Sequence, residues 1–167
     1  IKDTIEAIGV PHSAIDLILV NGKSVSFEYK MKGGEQVSVY PVFELFDITP
    51  LVHLRSKPLR ETKFIVDVNL GKLARKLRLL GFDTLYRNDL KDDEIVKYSV
   101  MDKKIILTRD KAILKHGSVT HGYWVRNIKS CSQVREVIDY FQLVNQLKPF
   151  TRCSCCNGML QPVEKSV

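Results

Sequence analysis

The chain of 167 residues reads as an α/β domain with a parallel sheet between helices, preceded by a smaller α+β unit. Three observations predict this. Phe64-Ile-Val and Lys104-Ile-Ile-Leu-Thr are short apolar runs, each leading to an acid, Asp67 and Asp110. From Phe64 to Phe141 such runs alternate with helical patterns as β-α-β-α-β-α-β-α, an order that calls for parallel strands covered on both faces. Charge divides the chain at the same place. Ile1 to Arg60 carries seven Lys/Arg and seven Asp/Glu, so the whole net charge of +7 belongs to the remainder.

In the first part, Lys2 to Ile8 has Ile5 and Ile8 at helical spacing, and Gly9 and Pro11 end the helix. Ile15 to Val20 is a strand, Asn21-Gly22 a hairpin turn, and Val25 to Tyr29 the strand expected to pair back. Lys32-Gly33-Gly34 is a second turn, Val37 to Tyr40 another strand, and Phe43 to Asp47 closes the unit. One helix on a short mixed sheet is the expected arrangement. Nothing here has catalytic chemistry, and His12 and His53 read as surface or packing residues. Thr49 to Lys63, with Pro50 and Pro58, reads as a linker. The chain opens with Ile1 inside a helical pattern, which reads as a fragment.

In the second part, Leu70, Leu73, Ala74, Leu77 and Leu80 form the core stripe of a helix that Gly81 ends. Lys72, Arg75, Lys76 and Arg78 fall largely off that stripe, giving a basic face within reach of a phosphate backbone. Asp83 to Tyr86 is a short strand. Asp89, Asp92, Asp93 and Glu94 crowd the start of a helix to about Met101, where acids suit the helix dipole and one or two of them can also face the sheet edge. Lys111 to Lys115 is a short helix, Gly122 to Arg126 a strand, and Gln133 to Phe141 a covering helix.

Asp67 and Asp110 each end a strand, at the edge where open α/β sheets place their ligands. The ordinary alternative is that each caps the following helix or turn. Two carboxylates brought together repel, and a divalent cation, Mg²⁺ or Mn²⁺, relieves the repulsion. Such ions support phosphodiester hydrolysis. In that role Asn69 and Thr108 would orient the acids or a water, and Arg75, Arg78 and Arg109 would hold phosphates. A nucleic-acid partner fits the basic second part.

No run is long enough to cross a membrane, and no secretory signal is visible. Of four cysteines, Cys131 stands alone, and Cys153, Cys155 and Cys156 crowd together. That spacing suits a metal knuckle in a reducing, cytoplasmic setting better than a disulfide framework. Cys153 and Cys156 form one C-x-x-C, two corners of a zinc site with no second pair before Val167, so the segment after Phe150 is expected to be loosely ordered.

Two resemblances sharpen the reading. Ile5-Glu-Ala-Ile-Gly-Val-Pro-His12, Leu19-Val-Asn-Gly22 and Gly33-Gly-Glu-Gln-Val-Ser-Val-Tyr-Pro41 resemble ubiquitin-like β-grasp domains of the ThiS/MoaD sulfur-carrier type. The opening hairpin and the free Gly-Gly terminus of a carrier have no counterpart, which points to a protein-interaction or substrate-guiding role. Phe64 to Arg78, Leu80 to Asp89, Ile106 to Asp110 and Arg152-Cys153-x-x-Cys156-Asn157 resemble the Mut-seven C-terminal RNase-domain family. That family implies a β-grasp module (1–50), a linker (51–62), a PIN-like nuclease domain (63–148) and the start of a zinc ribbon (149–167). It implies a metal-dependent RNase in which Asp67 and Asp110 match the first and third acids, with Asp92 and Glu94 the best matches for the second. A fourth acid has no counterpart; the region near Arg126 offers only Asn127. The ribbon's second Cys pair would lie beyond Val167, so zinc belongs to the longer pattern. The rival reading is an RNA-binding module with a degenerate site. A receiver-type phosphotransfer domain is disfavoured, because the first strand ends in one acid and not in an acid pair.

Overall fold

The computed structural model describes residues 1–41, 62–161 and 163. In the N-terminal unit, helix α1 (Lys2–Ala7) is followed by strands β1 (Ile15–Val20), β2 (Lys23–Ser24) and β3 (Val37–Pro41). The sheet order is β2-β1-β3 and both pairings are antiparallel, so among the described residues the sheet is not mixed. Asn21 and Gly22 both take positive φ, 49° and 79°, which makes the tight turn between β1 and β2. The pairing ends at Val25, whose N–H still donates to the Ile18 carbonyl at 3.0 Å. Val25 to Tyr29 is not a strand: its backbone turns, with the Tyr29 N–H donating to the Ser26 carbonyl at 3.2 Å. The apolar alternation there reflects Val25, Phe27 and Tyr29 packing onto Ile5, Ile15, Ile18 and Val20. The Phe43 to Asp47 closure and most of the expected linker lie outside the described residues.

The second unit has β4 (Lys63–Val66), α2 (Gly71–Leu79), β5 (Asp83–Leu85), α3 (Asp92–Asp102), β6 (Ile105–Thr108), α4 (Lys111–Leu114), β7 (Gly122–Trp124) and α5 (Ser130–Tyr140). Its four strands are all parallel, in the order β5-β4-β6-β7. Phe64, Ile65, Val66, Ile105, Ile106 and Leu107 are fully buried, as expected of strands covered on both faces. Alternate residues serve alternate faces. Phe64, Val66, Ile105 and Leu107 pack under α2 and α5 with Leu73, Leu77, Val137 and Phe141. Ile65 and Ile106 pack under α3 and α4 with Ile95, Val96, Ile113 and Leu114. This is a PIN-like α/β architecture after a β-grasp-like region.

The connection from β4 leads to one side of the sheet and that from β6 to the other. The crevice between the carboxyl ends of β4 and β6 is therefore the switch point at which such sheets bind ligands. Asp67 and Asp110 follow those two strands.

The N-terminal unit docks at the opposite end of the sheet. Ser13 Oγ donates to the Leu114 carbonyl at 3.1 Å, and His12 Nε2 donates to the Val119 carbonyl at 2.9 Å. Gly122, at the start of β7, has no room for a Cβ beside Leu114 and Ser13. His12 is thus a buried packing residue, its Nδ1 2.6 Å from Glu6.

Candidate active site

Asp67 is 5% exposed. Its N–H donates to the Leu107 carbonyl at 3.0 Å, which ties the end of β4 to β6. The Thr108 hydroxyl donates to Asp67 Oδ2 at 2.8 Å and accepts the Asp110 N–H at 2.8 Å. One buried hydroxyl thus holds both acids in register. Asp110 also caps α4, its Oδ1 accepting the Ala112 N–H at 2.7 Å. Capping and the rim position are compatible, because one carboxylate oxygen remains for other work. Asp67, by contrast, makes no side-chain cap.

Asp92, the first residue of α3, completes the group. Desolvation, then the charges of Asp110, Asp67 and Asp93, push its carboxyl above the ordinary aspartate value. Three acids from three segments therefore share one electrostatic neighbourhood. Among the described residues no three His, Cys, Asp or Glu side chains stand close enough to enclose an ion on their own. Glu94, the other expected second acid, turns away: its Oε2 accepts the Lys91 N–H at 3.0 Å and secures the start of α3. Asp89 pairs with Arg87 at 2.7 Å on the surface.

Beside the acids lies an open cleft of ≈ 990 Å³. Asn69, Lys72 and Arg75 form one wall, Lys129, Ser130 and Gln133 the other, and Arg109 reaches in from the rim. Tyr86 lines it too, its hydroxyl donating to the Val68 carbonyl at 3.1 Å. A Cβ at position 71 would lie 2.5 Å from that hydroxyl, so Gly71 is required for the ring to sit there.

The basic face of α2 is narrower than its sequence suggests. Lys72 and Arg75 are exposed in the cleft, but Lys76 turns to α5 and lies 2.7 Å from the Cys131 sulfur. Arg78 is not on a solvent face at all. It is 4% exposed, and its guanidinium donates to the carbonyls of Thr84, Ser154, Cys155 and Tyr86. Desolvation lowers its pKa, opposed by the nearby Cys156, Cys153 and Cys155 thiols. The expectation that Arg78 holds RNA phosphates is corrected: position 78 is one turn beyond Ala74, on the flank of the buried stripe, and its planar fork is used up on main-chain acceptors.

Two of those carbonyls, of Ser154 and Cys155, belong to the cysteine segment, which is held by hydrogen bonds through Leu160 and is not loose. Asn157, at φ 68°, closes a tight loop in which the Cys153 N–H donates to the Gly158 carbonyl at 2.8 Å. The Asn157 amide clasps β5, accepting the Thr84 N–H at 3.0 Å and donating to Asp83 at 2.8 Å. The N–H groups of Cys156 and Cys155 point at the Cys153 sulfur and lower its pKa. Gly81, at φ 97°, lets the Lys148 carbonyl approach so closely that no Cβ fits.

Some site residues escape sequence reasoning. Lys129 comes from a segment with no motif of its own, and Tyr86, though inside the Leu80 to Asp89 motif, has no site role that the sequence indicates. Glu136 organises the loop between β7 and α5: it accepts the Arg126 and Asn127 N–H groups at 2.9 Å each, the Asn127 amide at 2.8 Å and the Tyr123 hydroxyl at 2.9 Å. Asn127 is thus committed to Glu136.

The Mut7-C RNAse domain family model matches residues 62–167, and the Mut7-C ubiquitin model matches residues 1–47. Among curated proteins and among solved structures nothing matches. No helix among the described residues is long and apolar enough to cross a membrane. The first match spans more than half of the chain and contains the acid rim, the cleft and the cysteine loop, and the chain belongs to the Mut7-C RNase-domain family.

Proposed function

We propose that this protein is a metal-dependent ribonuclease whose acids Asp67, Asp110 and Asp92 hold Mg²⁺ or Mn²⁺ at the carboxyl edge of the parallel sheet. The observation that carries this is the Thr108 bridge, whose hydroxyl donates to the Asp67 carboxylate and accepts the Asp110 N–H at 2.8 Å each, while burial and then the charges of Asp110 and Asp67 raise the pKa of Asp92. The donor set fits the ion. All three are hard carboxylate oxygens, and Mg²⁺ keeps several of its own waters, so a wide site of few carboxylates suits it. When bound, the cation would supply an activated water and neutralise charge on the leaving oxygen.

The residues of the chain do the rest. The Asp67 carboxylate is held in place by the Thr108 hydroxyl. Lys72, Arg75, Arg109 and Lys129 attract and position phosphates beside the rim, and Asn69 offers an amide donor in the same cleft. The β-grasp region serves as a protein-interaction or substrate-guiding module, docked away from the rim through His12 and Ser13. Cys153 and Cys156 supply two ligands of a zinc knuckle; the amides aimed at the Cys153 sulfur are the support a bound thiolate requires. A cytoplasmic location belongs to the same proposal.

The test is cleavage of a labelled RNA by the full chain in Mg²⁺ or Mn²⁺ against an EDTA control. Asp67→Asn and Asp110→Asn should each abolish cleavage and leave the unfolding midpoint near that of the parent. Cleavage at the parent rate by either variant refutes the mechanism. A second reading, an RNA-binding module without activity, is favoured by the commitment of Asn127 to Glu136 and of Glu94 to its helix start. Salt-dependent RNA binding with no cleavage under any divalent ion would select it.

A further inference from the structure

We propose that Lys111, Trp124 and Arg126 form a second phosphate subsite for single-stranded RNA, across the acidic rim from the cleft. It rests on the nuclease reading and deepens it: the strand crosses over Asp67 and Asp110 with basic contacts on both sides.

Topology places the two basic groups on opposite faces of the sheet. The cleft belongs to the α2 and α5 face. Trp124 packs against the apolar cluster on the α3 and α4 face, at the carboxyl end of β7. It therefore shares the rim with the acids. The Lys111 ammonium sits 4.0 Å from the centre of its ring and the Arg126 guanidinium 5.8 Å away. Both cations thus lie over the indole, which attracts them without neutralising either. Among the described residues neither has a carboxylate within ion-pair distance. The Arg126 backbone is fixed in turn, its N–H donating to Glu136 at 2.9 Å. Two positioned cations with full charge are what a phosphodiester oxygen seeks.

The link between the two sides is covalent and short. Arg109 lines the cleft, Asp110 is the rim acid and Lys111 lies on the indole, so three consecutive residues span cleft, acid and subsite. The Trp124 Nε1–H donates to the Arg109 carbonyl at 3.1 Å and closes this arrangement. A flexible single strand can turn over such an edge, whereas a stiff duplex would engage one face only.

The experiment measures the affinity of the full chain, carrying Asp67→Asn to prevent cleavage, for a fluorescent oligouridylate at several salt concentrations. Each phosphate contact on a single strand contributes a slope of about 0.7 in log K against log salt. Lys111→Gln with Arg126→Gln should lower the slope by about 1.4, and Lys72→Gln with Arg75→Gln should do the same independently. If the first pair keeps the parent slope while the second lowers it, the subsite is refuted and the nuclease reading survives. If the Asp67→Asn parent shows no salt-dependent binding, both fall. Should the double variant unfold, the single Lys111→Gln and Arg126→Gln variants are read instead, and an unchanged slope in both refutes the subsite.

Discussion

Replacing Arg78 by Gln separates a structural clamp from an RNA contact. The guanidinium reaches four main-chain carbonyls, two of them at Thr84 (2.9 Å) and Cys155, and two longer ones at Ser154 (3.3 Å) and Tyr86 (3.4 Å). Hydrogen bonds from a charged donor contribute about 1.5–3 kcal/mol each, and Gln can replace at most one. Relief of a buried charge offsets part of the loss, because desolvation already disfavours the cation. The net cost should be about 3 kcal/mol. At about 2–4 °C per kcal/mol for a chain of this size, the unfolding midpoint should fall by roughly 6–12 °C. Amide exchange adds a local readout: protection of the Cys153 and Asn157 N–H groups should drop first, since Arg78, together with the Asn157 amide, fastens their loop to β5. In the folded variant the salt dependence of RNA binding should match the parent. An unchanged midpoint together with a lower salt slope would refute the clamp and restore Arg78 to the RNA face.

Three further outcomes follow from the same geometry. Thr108→Val leaves the Asp67 carboxylate and the Asp110 N–H without their shared hydroxyl, so cleavage should fall at least about tenfold, the order expected for a group that orients a catalytic ligand, and Thr108→Ser should recover most of it. Glu136 is pushed up by burial but pulled further down by the amides of Arg126 and Asn127, so its folded pKa lies below its ordinary value of 4.5; its stabilisation is present above that pH and is lost as pH falls through the lower folded value, a loss that urea titrations should find missing in Glu136→Gln. Asp92 is shifted the other way from its ordinary 3.8, so protons should compete with a divalent cation at a higher pH than for a free aspartate; Mn²⁺ binding followed against pH should lose that upper phase in Asp92→Asn.

The sequence by itself determined the elements of the α/β unit and the two acids at the rim. Phe64 to Val66 and Ile105 to Leu107 are too short and too apolar to be anything but strands buried on both faces, and an acid directly after such a strand lands at its carboxyl edge. The stripe from Leu70 to Leu77 likewise fixed α2, because helical spacing with a terminal glycine has one solution. Where local pattern and packing disagreed, packing won. Val25 to Tyr29 alternates like a strand, yet its apolar residues are satisfied by a turn that lays them on α1 and β1. Arg78 looks like its basic neighbours until β5 and the cysteine loop close over it, since burial of a side chain depends on elements distant in the chain. Tertiary structure alone decided that Asp92 and not Glu94 faces the acids, that Lys129 joins Arg75 across a cleft, and that Glu136 shapes the loop beside them. Each depends on segments that meet only when parallel strands and their helices are assembled, and no spacing along the chain encodes such a meeting.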